Sequence, residues 1–484
     1  MSCQGQFRVS VLNLKTKMLK TRLIAPYQHD GVKWLVGRET VPVLSGGFLC
    51  DEMGLGKTIQ LLATMCVNPK QHTLVVVPKS IVGQWCDEIR RFTPQFTVHA
   101  FDGVKRHLPA ARPHVVVAPY SVVVDSALAR VEWDRVILDE AHEIRNRRSK
   151  IHAACCALRA PIRWVVTGTP VFNSIRDFVS LCQFVGIDKY AAQGDTDGIR
   201  QRYVLRRTKD DVAKFNPRLA LPPCDFENVE LEMHPQERAL YSDVFSHSRG
   251  VVASVAQSTA AHMFQMELLE ALLRTRQAMI WPQLYLDGLA LKEGRDPEPW
   301  CGASRKMETL MDLIGSHPSE KALVFCQFMG EMDELQTRLT KACVPIFRID
   351  GGIPREKRIE RIKGFKAAAE NAVFLIQIKA GGVGLNLQEA TRVYITAPSW
   401  NPATELQAIG RAHRTGQTHK VVVRRLVYVG SPELPSVEQS IMQLQGGKAR
   451  VCAEVLNDQR LTGQVPNEPK KAVNLQTLKS IFAV

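Results

Sequence analysis

Residues 51–58 read Asp51-Glu52-Met53-Gly54-Leu55-Gly56-Lys57-Thr58. An apolar stretch, Gly47–Cys50, precedes them and a helical run, Ile59–Met65, follows. Gly54 and Gly56 let backbone N–H groups close around phosphate oxygens, and the helix opened by the loop offers its positive end to an anion. Lys57 would reach the β- and γ-phosphates and Thr58 would hold Mg²⁺. The general phosphate-loop pattern wants a Gly where Asp51 stands. Gly-x-Gly-Lys-Thr by itself also describes an ordinary Gly-rich turn. The strand before it and the helix after it favour the phosphate reading.

A second element fits the first. Asp139-Glu140-Ala141-His142 directly follows the apolar run Arg135–Leu138. A carboxylate at the end of a buried strand is costly unless a cation meets it. Asp139 is placed to hold Mg²⁺ through its water shell, and Glu140 to orient and deprotonate an attacking water. Without the loop at 51–58, an acid pair capping a helix would be the simpler reading. A third element, Gln407–Gln417, carries Arg411 and Arg414, which three-residue spacing places on one face of a helix. They are either fingers for a transferring γ-phosphate or solvated surface charges.

Outward from these elements the chain has an α/β texture. The β-branched runs Leu74–Val77, Val115–Val117, Arg135–Leu138 and Trp164–Val166 alternate with amphipathic stretches, as in a parallel sheet buried on both faces. Residues 232–281 lack such runs, and Met263, Met266, Leu269, Leu272 and Leu273 recur at helical spacing. Residues 282–303 hold several Pro and Gly and read as a linker. The α/β texture returns at Ala322–Phe325, Ile346–Ile349, Val373–Ile378, Arg392–Ile395 and Val421–Leu426. The expected organisation is a basic N-terminal arm at 1–24, an ATP-binding lobe at 25–231, a helical insertion and linker at 232–303, a second lobe at 304–457 and a tail at 458–484.

The 484 residues carry 63 Lys and Arg against 48 Asp and Glu, a net charge of +15. That excess favours a polyanionic partner, nucleic acid before acidic membrane. No apolar run is long enough to span a bilayer. The first residues lack the charged start and apolar stretch of a secretory signal, which gives an expectation of an intracellular protein. The 12 cysteines include no Cys-x-x-Cys pair, so zinc ribbons, fingers and RING modules lack their ligands.

The three elements, in this order, resemble the Swi/Snf family of DNA-dependent ATPases in helicase superfamily two. Ala25–Val32 looks like the family's adenine-reading segment, with Gln28 as the adenine contact. Asp51 is the family's own residue at that point of the first motif. Pro78-Lys79-Ser80 through Gln84-Trp85, Thr167–Pro170, Leu205–Lys209, Leu221–Pro223, Ser304–Met307, Ala322–Phe328, Lys379–Leu387, Trp400-Asn401-Pro402 and Gln407–Gln417 are also similar to family motifs. Gln377 stands where the family usually has Ser or Thr.

The resemblance implies two RecA-like lobes, ATP and Mg²⁺ as cofactors, and double-stranded DNA gripped through Lys79, Ser80, Lys379 and Trp400. Asp51, Gly54, Gly56, Lys57, Thr58, Asp139 and Glu140 would bind the nucleotide. Lobe closure would bring Arg411 and Arg414 to it. The implied activity is duplex translocation that remodels DNA–protein complexes, as in chromatin remodelling, repair or transcription termination. The object would be a nucleosome, a polymerase or another DNA-bound protein, in the nucleus or wherever the DNA resides. Leu273–Gln277 and Lys379–Gly382 resemble the RING-bearing repair translocases, here without a RING, and the termination ATPases are similar too. The alternatives are a catalytically idle DNA-binding scaffold and a strand-separating helicase. None of the catalytic set is altered, which disfavours the scaffold.

Overall fold

Strands of aliphatic residues buried on both faces need cover on both sides, and helices returning the chain to the start of the next strand supply it. A computed structural model shows this arrangement twice. It describes residues 19–20, 23, 25–103, 107–124, 127–168, 175–215, 221–258, 264–368, 370–381, 385–414, 416–456 and 475–484. Most of the basic arm, Met263, Thr169 and Pro170, Gly382–Gly384 and residues 457–474 of the tail lie outside those residues. The chain divides into two compact units, with the change between residues 220 and 221.

The first unit holds β1 (Ser45–Leu49), β2 (Thr73–Val77), β3 (Val98–Ala100), β4 (Val115–Pro119), β5 (Arg135–Asp139), β6 (Ile162–Val166) and β7 (Val204–Leu205). They form one parallel sheet in the order β3-β4-β2-β5-β6-β1-β7. All five residues of β2 are buried. Its Leu and three Val contribute about 6–12 kcal/mol of gross burial before chain entropy is counted. The register sets Leu49 beside Val166 and Val166 beside Asp139. The loops leaving β1, β6 and β5 therefore emerge side by side at the carboxyl edge of the sheet, where α/β folds bind ligands.

The opposite end of this sheet is closed by a buried ion pair. Arg135 donates to Glu39 through Nε at 2.6 Å and Nη2 at 2.5 Å, and Trp164 Nε1 donates to the same carboxylate at 2.9 Å. Satisfied in this way, a strand can begin with a fully buried arginine.

The second unit holds β8 (Cys224–Leu231), β9 (Ala322–Cys326), β10 (Ile346–Ile349), β11 (Val373–Gln377), β12 (Arg392–Ile395) and β13 (Val421–Tyr428). They form a parallel sheet in the order β10-β11-β9-β12-β13-β8. Residues 224–231, read from sequence as the end of the first lobe, pair along their whole length with β13, from Cys224↔Val421 to Leu231↔Tyr428. As an edge strand with alternating polar positions, β8 lacks the apolar run that marks the central strands.

Among the described residues four helices lie between β8 and β9: Pro235–Gln257, Gln265–Ile280, Pro282–Glu293 and, next to β9, Arg305–Gly315. The third occupies most of the expected linker. Pro282 sits in its first turn, where no N–H is missed, and Gly294 ends it in the left-handed conformation at φ 68°. Proline and glycine here bound a helix instead of breaking one.

The buried face of Gln265–Ile280 also differs from the expected stripe. Leu268, Ala271, Leu272, Thr275 and Met279 are buried, whereas Met266, Leu269 and Leu273 are 76%, 48% and 41% exposed. A buried hydroxyl pair, Thr275 Oγ1 donating to Ser248 Oγ at 2.9 Å, joins the first two helices. Among the described residues no helix is long and apolar enough to cross a membrane, no group of His, Cys, Asp and Glu is arranged for a metal, and the ten cysteines with described side chains are free.

Candidate active site

The loop from Cys50 to Gly56 links β1 to the helix Lys57–Val67. Gly54 and Gly56 take φ of 92° and 75°, the left-handed region. At Gly56 an added Cβ would also stand 2.7 Å from Gln28 Nε2, so both conformation and space require glycine. Lys57 Nζ donates to the Asp51 carbonyl at 2.9 Å, within its own loop. Thr58 follows in the first turn, half-buried.

Asp51 does not turn toward the phosphate position. Its fully buried carboxylate accepts from Arg207 Nε at 3.0 Å, from Arg207 Nη2 and from Gln60 Nε2 at 3.1 Å. Arg207 also donates to the Tyr27 carbonyl and to Gln60 Oε1 at 2.7 Å, and covers the Tyr27 ring at 5.2 Å. Burial, then the Asp51 charge, pushes the Tyr27 phenol up to about 12. The Tyr27 hydroxyl donates to Leu55 O at 3.0 Å, and buried Gln28 places its amide 3.4 Å from the same carbonyl. The segment carrying Gln28 is thus fastened to the phosphate loop through Leu55.

The other side of the loop is held by backbone. Cys50 N donates to Leu205 O at 2.7 Å and Glu52 N to Arg207 O at 2.8 Å, extending the β1–β7 ladder past the strand. Arg206 Nη1 donates to Cys50 O at 2.8 Å, and Lys209 Nζ meets Glu52 Oε1 at 3.3 Å. Leu205–Lys209 had a family likeness but no assigned role. In the structure it is the splint of the loop.

Asp139 ends β5. Its carboxylate accepts from Trp85 Nε1 at 2.8 Å and from Glu140 N at 2.9 Å, and Tyr120 donates to its carbonyl at 2.8 Å. Burial, then the neighbouring Glu140 charge, pushes the Asp139 carboxyl up to about 6, while the Trp85 bond and the Lys57 charge oppose the shift. Lys57 and Asp139 are therefore within electrostatic reach of each other. Glu140 is left-handed at φ 49°, ψ 46°, a conformation that costs a non-glycine residue about 1–2 kcal/mol and is tolerated where function requires it. Its Oε2 lies 3.4 Å from His142 Nδ1. Between the two loops, Thr167 is buried and its N–H donates to Leu49 O at 3.2 Å. Oxygen donors beside one lysine suit a hard cation carried by phosphate.

The remaining predicted residues lie on other segments of the two units. Lys79 and Ser80 are exposed in the short 3₁₀ turn after β2. In the second unit Lys379 is exposed just past β11, and Trp400 is half-buried against the core. Gln377 accepts from Gly351 N at 3.1 Å, bracing the loop after β10.

Arg411 and Arg414 do not share a helix face, because the helix Pro402–Ile409 ends before them. They lie in the following turns. Arg411 is buried, with Nε donating to Gln407 O at 3.1 Å and its carbonyl accepting from Leu387 N at 3.1 Å. Arg414 Nη1 approaches Leu385 O at 3.4 Å. Burial of Arg411 removes the solvated-helix reading for that residue. Gln417 is also buried and donates to Gln388 O at 2.9 Å and Ala412 O at 3.2 Å, tying the two segments together.

With this geometry in hand, likeness to known proteins falls on both units. Residues 27–197 match the SNF2-related domain and residues 305–416 the Helicase conserved C-terminal domain. The chain belongs to the SNF2/SWI2 family of superfamily-two ATPases. It is 28% identical to the Mus musculus SWI/SNF-related matrix-associated actin-dependent regulator of chromatin subfamily A member 1, over 94% of this chain and 45% of that protein. It is also 28% identical to the probable global transactivator of Orgyia pseudotsugata multicapsid polyhedrosis virus, over 95% of this chain and 94% of that one. The chain thus spans less than half of the mouse relative and nearly all of the viral one. The Sulfolobus solfataricus SWI2/SNF2 ATPase core in complex with dsDNA aligns over 96% of this chain and 97% of its own, at 25% identity and a TM-score of 0.42.

Proposed function

We propose that the chain is an ATP-driven motor that translocates along double-stranded DNA and so remodels DNA–protein complexes. The observation carrying this reading is the joint edge of β1, β6 and β5, which sets Lys57 within electrostatic reach of Asp139, the residue before Glu140. Gly54, Gly56 and Lys57 hold the phosphates. Thr58 and Asp139 would hold Mg²⁺, which would supply charge neutralisation to the phosphates. Glu140 orients and deprotonates the attacking water. Gln28 reads adenine from its buried place against the loop, and Asp51 acts through the loop's position. Arg411 and Arg414 neutralise the transition state.

The duplex is gripped through Lys79 and Ser80 of the first unit and Lys379 and Trp400 of the second. The +15 charge supports this grip and implies steep salt dependence without strong sequence preference. The relatives' names support a chromatin or transcription setting in the nucleus or wherever the DNA resides, with a nucleosome, polymerase or other DNA-bound protein as the object. Leu273–Gln277 supports kinship with the repair translocases.

The test measures duplex-stimulated phosphate release together with two displacement assays. The wild type should release a triplex-forming strand and leave a plain fork paired. Glu140→Gln should bind ATP yet lose turnover by a factor of about 10² or more. Efficient fork unwinding, or stimulation by RNA but not DNA, would replace the motor with a true helicase. Near-normal turnover by Glu140→Gln would remove that residue from its role.

A further inference from the structure

The stretch Thr396–Ser399 leaves β12 and delivers the chain to Trp400. Its four consecutive carbonyls each accept from a different side chain. Lys306 Nζ donates to Thr396 O at 2.9 Å and Gln327 Nε2 to Ala397 O at 3.2 Å. Arg276 Nη2 donates to Pro398 O at 3.2 Å and Gln445 Nε2 to Ser399 O at 2.5 Å. Gln327 follows β9. The other three donors come from three separate helices, Gln265–Ile280, Arg305–Gly315 and Val437–Leu456.

Satisfying buried carbonyls is obligatory, but it does not require charge. Here two donors are cations, and burying them costs more than burying amides. Glu438 and Glu331 lie close enough to favour the charge on both Lys306 and Arg276, and Lys306 meets Glu438 at 2.5 Å. The cradle continues forward. Ser399 N donates to Glu405 Oε1 at 2.6 Å, and Arg425 holds the other oxygen of Glu405 at 2.7 Å. Asn401 caps the helix Pro402–Ile409 by accepting from Ala403 N at 3.1 Å. From Thr396 to the Asn401 cap the chain is anchored at successive residues, and Arg411 follows two residues after the helix ends.

We infer that Arg276 and Gln327 are positioning residues that couple the duplex at Trp400 to the arginine segment. The inference rests on the motor reading above. A segment held at four successive carbonyls moves as one piece, so a displacement at Trp400 on binding duplex reaches Arg411 undiminished. With a donor removed, the loop absorbs the displacement. DNA still binds, but it no longer accelerates hydrolysis. Arg276 extends the linkage to the helical insertion, since it lies on the same helix as Leu268 and Leu272 of the core.

The experiment measures ATP hydrolysis with and without saturating duplex in the full chain, for the wild type, Gln327→Leu and Arg276→Lys. Gln327→Leu leaves no charge unpaired. Arg276→Lys keeps the charge and loses the guanidinium's reach. In both, the DNA-stimulated kcat should fall about tenfold, the weight of one or two buried hydrogen bonds, with basal rate and ATP KM within about twofold of wild type. A stimulation ratio equal to wild type in both variants overturns the coupling. So does an equal loss of basal and stimulated rates, which marks a purely structural role. If the wild type itself is not stimulated by duplex, the motor reading fails instead.

Discussion

Removing Arg207 should unfasten the phosphate loop before it touches the chemistry. Asp51 is fully buried, and two of the three donors on its carboxylate are nitrogens of Arg207. Arg207→Met leaves that carboxylate with Gln60 alone and strips Tyr27 O of a donor. Breaking a buried pair from one side costs about 3–5 kcal/mol, because the remaining charge is uncompensated. Asp51→Asn should cost less, about 1–3 kcal/mol, since Arg207 keeps Tyr27 O and Gln60 Oε1. Combining Asp51→Asn with Arg207→Met removes both charges, so the double variant should be more stable than Arg207→Met alone, which requires a coupling larger than the cost of Asp51→Asn by itself. Two units make a single unfolding free energy ill-defined. The measurement is therefore hydrogen exchange of the amides in Lys57–Val67, read as local opening, alongside nucleotide affinity. If Asp51→Asn leaves exchange unchanged and abolishes nucleotide binding, Asp51 acts on the ligand. If the two substitutions are additive within about 0.5 kcal/mol, the pair is not what holds the loop.

Two further outcomes follow from the same site. The Asp139 carboxyl, raised to about 6 from 3.8, holds its proton more tightly folded than unfolded, so its contribution is present below about pH 4 and is lost as pH rises through 6. Asp139→Asn should therefore be more stable than wild type above pH 6 by about 1–3 kcal/mol in the nucleotide-free protein, with the gap closing near pH 4; a gap independent of pH would sink the assignment. Gly56→Ala forces a Cβ into φ 75° and toward Gln28 Nε2, which should cost about 1–2 kcal/mol and weaken nucleotide binding, measured by thermal melting and titration. An unchanged dissociation constant would show that the loop does not close on phosphate.

The parts of this molecule visible in its sequence are those that neighbouring residues build. Leu74–Val77 and Val373–Ile376 announce buried strands because every residue is apolar, and Asp51–Thr58 reads as a loop between strand and helix because the three are consecutive. Where two local signals conflicted, the reading went astray. Pro282 and Gly294 are linker residues by composition and helix boundaries by position. Met266, Leu269 and Leu273 have helical spacing but face outward, because the buried face is the adjoining one of Leu268, Ala271, Leu272, Thr275 and Met279. Arg411 and Arg414 have helical spacing in a segment whose helix has already ended.

What the sequence conceals is the positioning of the site, and the reason is distance along the chain. Arg207 meets Asp51 across 156 residues, Arg276 meets Pro398 across 122, and Lys306 meets Thr396 across 90. No periodicity connects such positions, since each contact exists only after both sheets and the intervening helices have packed. The groups proposed to touch nucleotide lie on short motifs, whereas the groups that aim those motifs are scattered. A variant that spares every motif and removes Gln327 or Arg207 should therefore impair the motor while its sequence still reads as intact.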